Sequence, residues 1–126
     1  MENQFNITPQ IDGLLREWLR IFFPSYLYRS RKDQLTIQAG ATSFNITSNY
    51  MVLTAGAGVT IATLVGGYEG QIITLEFKDV NVTITDDATS ALNTVNLSGA
   101  FTSSAEDTMQ LIYNGTSWRE ICRSVN

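Results

Sequence analysis

From Leu35 onward the apolar and polar positions alternate with a period of two, in short pieces. Six segments place a Thr or Asn between two apolar residues: Leu35-Thr36-Ile37, Phe44-Asn45-Ile46, Val59-Thr60-Ile61, Ile73-Thr74-Leu75, Val82-Thr83-Ile84 and Val95-Asn96-Leu97. Residues i and i+2 of a strand share a face, so each piece predicts a half-buried β-strand. Two longer strands, Met109 to Tyr113 and Trp118 to Arg123, close the pattern. Turn chemistry separates the pieces at Ala39-Gly40, Gly56-Ala57-Gly58, Gly66-Gly67, Asp86-Asp87, Ser98-Gly99 and Asn114-Gly115. Asn114-Gly115 predicts a two-residue type I′ hairpin turn, whose central residues both need positive φ. The six segments start 9, 15, 14, 9 and 13 residues apart, which excludes a strict repeat. An irregular β-helix or a small sandwich remains.

Ahead of this the period is that of a helix. Ile11, Leu14, Leu15, Trp18, Leu19 and Phe22 fall on one face, and Arg16, Glu17 and Arg20 on the other. Thr8-Pro9 supplies a helix start, with Asp12 as a rival cap, and Pro24 stops the helix near Phe23. Ser25-Tyr26-Leu27-Tyr28 then alternates and leads into the basic run Arg29-Ser30-Arg31-Lys32. The chain therefore divides into an N-terminal helical, aromatic arm, residues 1–34, and a mainly β domain, residues 35–126.

Packing narrows the choice for the β domain. A sandwich normally buries several large rings between its sheets, but residues 35–100 offer only Phe44, Tyr50, Tyr68 and Phe77. Short strands around a thin aliphatic core leave edges open. The expectation is that copies associate around a shared axis and pool their apolar faces.

The whole chain has 126 residues, enough for one domain, and its mean hydropathy of −0.01 is ordinary for a folded protein. A formal net charge of −4 argues against nucleic acid as a partner. That total hides an asymmetry, because residues 1–32 carry five basic and three acidic side chains, whereas residues 33–126 carry three basic and nine acidic. The single cysteine, Cys122, excludes an intrachain disulfide and reads as a half-buried strand residue. The opening MENQFNITPQ lacks the pattern of a signal peptide, and no apolar stretch approaches the roughly 18 residues of a membrane span. The five Asn-x-Ser/Thr sequences are read as turn and strand chemistry.

Without histidine, neither a Ser-His-Asp nor a Cys-His arrangement can be built. Carboxylates remain, in the pairs Asp86-Asp87 and Glu106-Asp107. Adjacent strand residues point to opposite faces, so neither pair alone frames a glycosidase cleft, and water-exposed turn acids are the expectation. Asp86 and Asp87 could also hold a calcium ion, which takes hard oxygen ligands. Gly66-Gly67-x-x-Gly70 lacks the Lys-Ser/Thr of a phosphate loop and reads as a tight β turn. The arm is the stronger signal: six of the thirteen aromatic residues, Phe5, Trp18, Phe22, Phe23, Tyr26 and Tyr28, lie in the first 28. Such density asks for burial, on the arm's own β body, on another protein, or on an anionic membrane surface. The candidate docking residues are Leu14, Leu15, Trp18, Phe22, Phe23, Tyr26, Tyr28, Arg29 and Arg31. Only two arginines, Arg16 and Arg20, lie on the helix, which disfavours the membrane.

Gly66-Gly67-Tyr68-Glu69-Gly70-Gln71-Ile72-Ile73-Thr74-Leu75-Glu76-Phe77, with Val82-Thr83-Ile84 and Val95-Asn96-Leu97-Ser98-Gly99, resembles a module of bacteriophage tail fibres, tailspikes and capsid decoration proteins. The ending Asp107 to Glu120, then Arg123-Ser124, looks like that module's closing hairpin, with its aromatic, its Asn-Gly turn and its Trp. The resemblance covers residues 35–126. It implies a short trimeric β-helix or β-prism on a virion, assembled in the host cytoplasm, with no cofactor and no catalysis. The number three comes from this resemblance. The partners expected are two further copies and another virion protein, capsid or tail, held by residues 1–34. Decoration or cementing of the capsid is preferred to a fibre, because the chain is short and has no coiled-coil shaft. The main rival is a receptor-binding fibre tip using Tyr50, Tyr68 or Trp118 against glycan. A carbohydrate-cleaving spike fragment with Asp86, Asp87 and Asp107 is a second.

Overall fold

The computed structural model describes residues 31–126. These wind as a β-solenoid of about four coils, with no helix among them. Coil 1 holds β1 (Lys32–Ile37) and β2 (Ser43–Asn45). Coil 2 holds β3 (Tyr50–Ala55), β4 (Val59–Ile61) and β5 (Thr63–Val65). Coil 3 holds β6 (Ile72–Phe77), β7 (Val82–Ile84) and β8 (Val95–Asn96). Strands one coil apart pair in parallel: β1 with β3, β3 with β6, β2 with β5, and β4 with β7.

Alternation along most strands sends every second side chain inward, and parallel register stacks like on like. Leu35, Leu53 and Phe77 form one stack, and Met51, Leu75 and Met109 another. On a second face Val59 meets Val82, and Ile61 meets Ile84 and then Phe101. Phe44 lies beside Leu64 on the third. One continuous cluster results, from Ile37 to Trp118. The sharp corners are closed by polar side chains, since the turned backbone cannot pair with itself. Asp79 accepts the amides of Ala55 and Asn81 at 2.9 and 3.0 Å, and Asn81 Nδ2 donates to the Ala55 carbonyl at 2.6 Å. At another corner, buried Gln71 donates to Asn49 at 2.9 Å.

After β8 the winding reverses. β9 (Phe101–Thr102) runs antiparallel to β7, and β10 (Thr108–Tyr113) antiparallel to β6. β11 (Trp118–Ser124) returns beside β10 and joins β8, so one hairpin ties two faces together. The reversal loop is clasped from β11. Glu120 accepts the Ser98 amide at 2.8 Å and pairs with Arg123 at 2.6 Å, while Arg123 donates to the Gly99 carbonyl at 2.9 Å. Gly99, at φ 133°, occupies a conformation that side-chain-bearing residues avoid.

Three expectations need correction. The hairpin loop spans four residues, 114–117, closed by Asn114 N–H to Ser117 O at 3.0 Å, and of the Asn-Gly pair only Gly115 has positive φ. The Asn114 side chain instead accepts the amides of Thr116 and Ser117, so it works as an acceptor rather than as a left-handed residue. Cys122 is exposed, because a bulge opposite Gln110 and Leu111 shifts the strand there. Finally, the interior is not starved of rings, because Phe77, Phe101, Tyr113 and Trp118 fill it within one chain. Association of copies is therefore not required to build the core, and the case for it rests on the resemblance.

Candidate functional site

The two ends of the solenoid differ. At the C-terminal end Trp118, fully buried, donates Nε1–H to the Leu64 carbonyl at 3.0 Å and packs on Tyr113 with ring centroids 4.8 Å apart. Gly67 lies so close that a Cβ there would sit 2.5 Å from Trp118 Cζ2. Side chains and backbone close together at that end.

The N-terminal end is open among the described residues. β1 pairs only with β3, and β2 only with β5. Leu35 and Ala41 are half-buried on the margin of the core. Beside them runs a groove of about 310 Å³ whose described lining comes from coil 1 and the turn after it, with Leu35, Ile37, Ala41 and Phe44 as its apolar part. A second depression of about 360 Å³ adjoins it, lined by Arg31, Lys32, Asp33 and Thr47, where the Thr47 hydroxyl donates to Asp33.

Across the outer face of β1, β3 and β6 runs a polar chain. The Lys32 ammonium lies 5.9 Å from the Tyr50 ring centre, and Tyr50 O–H donates to Glu76 at 2.9 Å. Lys78 then bridges Glu76 at 3.3 Å and Glu106 at 3.2 Å. The Tyr50 hydrogen bond, and then Lys78, hold the Glu76 carboxyl below the ordinary carboxylate range. The same bond raises the Tyr50 hydroxyl, and the bonds to Glu106 and Glu76 raise Lys78. This is a fixed, solvent-facing array of a ring, carboxylates and an ammonium.

The carboxylates singled out in the sequence have other duties. Asp86 accepts the Leu97 amide at 2.9 Å, and Asp87 accepts the Thr89 amide at 2.8 Å. Bonds from the Thr89 hydroxyl and amide lower the Asp87 carboxyl. Asp107 is fully buried rather than exposed, accepting the amides of Ser104 and Asn126 at 2.7 and 2.8 Å. Each is engaged by backbone amides, and no group of three or more His, Cys, Asp or Glu is placed to hold a metal ion among the described residues.

Of the candidate docking residues, Leu14, Leu15, Trp18, Phe22, Phe23, Tyr26, Tyr28 and Arg29 lie outside the described residues, as does the predicted helix. Arg31 is described and exposed beside the open end. Tyr50 and Tyr68 are 37% and 46% exposed, whereas Trp118 is sealed in the core and cannot present its ring to a glycan. The Tyr50 array was missed because its members are far apart in sequence and only the coil register brings them together.

No family model, no curated protein and no solved structure matches the chain.

Proposed function

We propose that the protein is a non-enzymatic structural subunit of a bacteriophage particle, a homotrimer attached to the capsid or tail scaffold by the end that bears residues 1–34. The observation that carries this reading is the polarity of the solenoid. Its far part is wound back by a reversed coil and tied by a hairpin, while among the described residues β1 and β2 lie at sheet edges beside an apolar groove, at the end from which residues 1–30 precede the solenoid. A rigid body with one finished and one unfinished end suits attachment at the unfinished one. The engagement of Asp86, Asp87 and Asp107 with backbone amides supports a structural rather than a hydrolytic role.

Capsid decoration is preferred to a fibre because the described residues form a strand-only solenoid without a helical shaft. In the test, protein lacking residues 1–30, which leaves β1 whole, competes with full-length protein for assembling particles. Full-length protein joins at high copy number over the shell, and the truncated body, folded by circular dichroism, does not. Equal incorporation of both would sink the attachment reading.

A second reading is favoured by one observation, the exposed Tyr50 ring beside Glu76 and Lys78. A ring face flanked by fixed polar groups is suited to a sugar, and a receptor-binding fibre tip would use it. Tail-only location in small multiples of three, with glycan binding lost in Tyr50→Ala, would favour this alternative.

A further inference from the structure

We propose that Asn114-Gly115 is a self-modification site, at which the folded chain closes a succinimide ring that water then opens to aspartate or isoaspartate. This concerns the chemistry of the closing hairpin and does not depend on where the protein works.

The reacting groups are the Asn114 side-chain amide and the Gly115 backbone nitrogen. Of the nine asparagines in the chain, Asn114 alone precedes a glycine. A side chain on the following residue shields the nitrogen, and glycine has none. Asn81 and Asn93, by contrast, precede the β-branched Val82 and Thr94.

The loop adds to this local reactivity. Asn114 Oδ1 accepts the amides of Thr116 and Ser117, both at 2.9 Å. An oxygen that reaches forward to those amides draws Cγ over the peptide that holds the Gly115 nitrogen. The same two donors polarise the Cγ carbonyl and stabilise negative charge on Oδ1 as the nitrogen adds. The loop backbone is held in this shape, because Asn114 N–H closes on Ser117 O at 3.0 Å and Asn93 N–H donates to the Thr116 carbonyl at 2.7 Å. Asn114, Gly115 and Thr116 are exposed, so water reaches them.

The steps balance with water as the sole co-reactant. The Gly115 nitrogen gives up its proton to solvent as it bonds to Cγ. The Cγ–Nδ2 bond then breaks, and ammonia leaves with a proton taken from solvent. Water adds to one of the two ring carbonyls. Addition at Cγ releases the nitrogen and gives aspartate, whose carboxylate continues to accept the Thr116 and Ser117 amides. Addition at the main-chain carbonyl gives isoaspartate, which routes the backbone through the side chain and lengthens the loop by one carbon. The hairpin that seats Trp118 therefore ages.

The test follows the folded full-length chain in mildly alkaline buffer made with heavy-oxygen water, well below its unfolding temperature, with peptide mapping by mass spectrometry. Residue 114 should lose ammonia and take up heavy oxygen, while Asn81 and Asn93 stay intact. Conversion should be at least as fast in the folded chain as in the same chain unfolded in urea, because the loop presents the reacting atoms already aligned. Slower conversion in the folded chain overturns the proposal, since the loop would then be shielding the amide. Thr116→Pro, checked for folding by circular dichroism, removes one of the two donors and should slow conversion by about tenfold. An unchanged rate in that folded variant also overturns the proposal. If the proline disrupts the hairpin, the comparison with urea, which needs no substitution, decides.

Discussion

Trp118 shows how much one side chain can carry. Its ring is fully buried, its N–H is satisfied by Leu64, and Gly67 makes room for it. Trp118→Ala should cost about 3–5 kcal/mol in urea unfolding, the range for removing a buried aromatic. Gly67→Ala should cost about 1–3 kcal/mol, because the added methyl meets a ring that cannot move aside. Composition could not have said which rings are inside: Trp118 looked available for a ligand, and the backbone beside Gly67 turns out to be its lid. Glu120 gives a pH signature. Arg123, and then the Ser98 amide, lower its carboxyl below the ordinary glutamate value of 4.5. A carboxyl depressed in the folded state adds stability above its unfolded titration range and loses it as pH falls through the folded one. Urea midpoints of the wild type should therefore exceed those of Glu120→Gln at pH 6, and the gap should shrink on acidification toward pH 3. A gap independent of pH would show that the clasp on the reversal loop does not depend on charge.

Among the elements, the triplets were legible because inward and outward positions alternate, and Val59–Ile61 and Val82–Ile84 are strands with those bounds. β3 was not, because Met51, Val52 and Leu53 are all buried and the run does not alternate. Such runs are characteristic of parallel strands covered on both faces. β9 is two residues long and carries no periodic signal. Nor can local pattern tell parallel from antiparallel pairing, since both use the same period, so coil winding and its reversal were invisible. The likeness to virion modules pointed to a β-helix or β-prism, and the solenoid agrees with that part at the coarse level. A gradient of stability should follow from the stacking. Leu75, sandwiched between Met51 and Met109, should cost about 2–5 kcal/mol when cut to Ala. Leu35, half-buried in the first coil, should cost clearly less. Equal losses, measured by urea unfolding of the two variants, would mean that the coils do not differ in how well they are covered.

For the molecule as a whole, the proposed trimer raises the question of what would hold copies together if the core does not. The interior is continuous within one chain, so a trimer must be held by surfaces rather than by shared cores. The full-length chain of 14.0 kDa should still sediment at three times that mass. A single-copy species over a wide concentration range would remove the trimer and leave the fold intact. A change of period and a crowding of rings set residues 1–34 apart in the sequence and prompted the reading of a docking arm. The sheet edges at β1 and β2 were not legible, because an edge is a property of how coils stack and has no residue motif of its own.

The about-face at Leu97 to Ala100 also limits how such a protein can lengthen. Duplicating a coil within the parallel part, between β3 and β8, adds a storey with the same direction of travel and the same inward stripe. A duplicate placed after β9 would run against its neighbours and find the roof already built. Variants grown by whole storeys should therefore tolerate insertion upstream of the U-turn and reject it downstream, which makes the final hairpin a terminus for the architecture as well as for the winding.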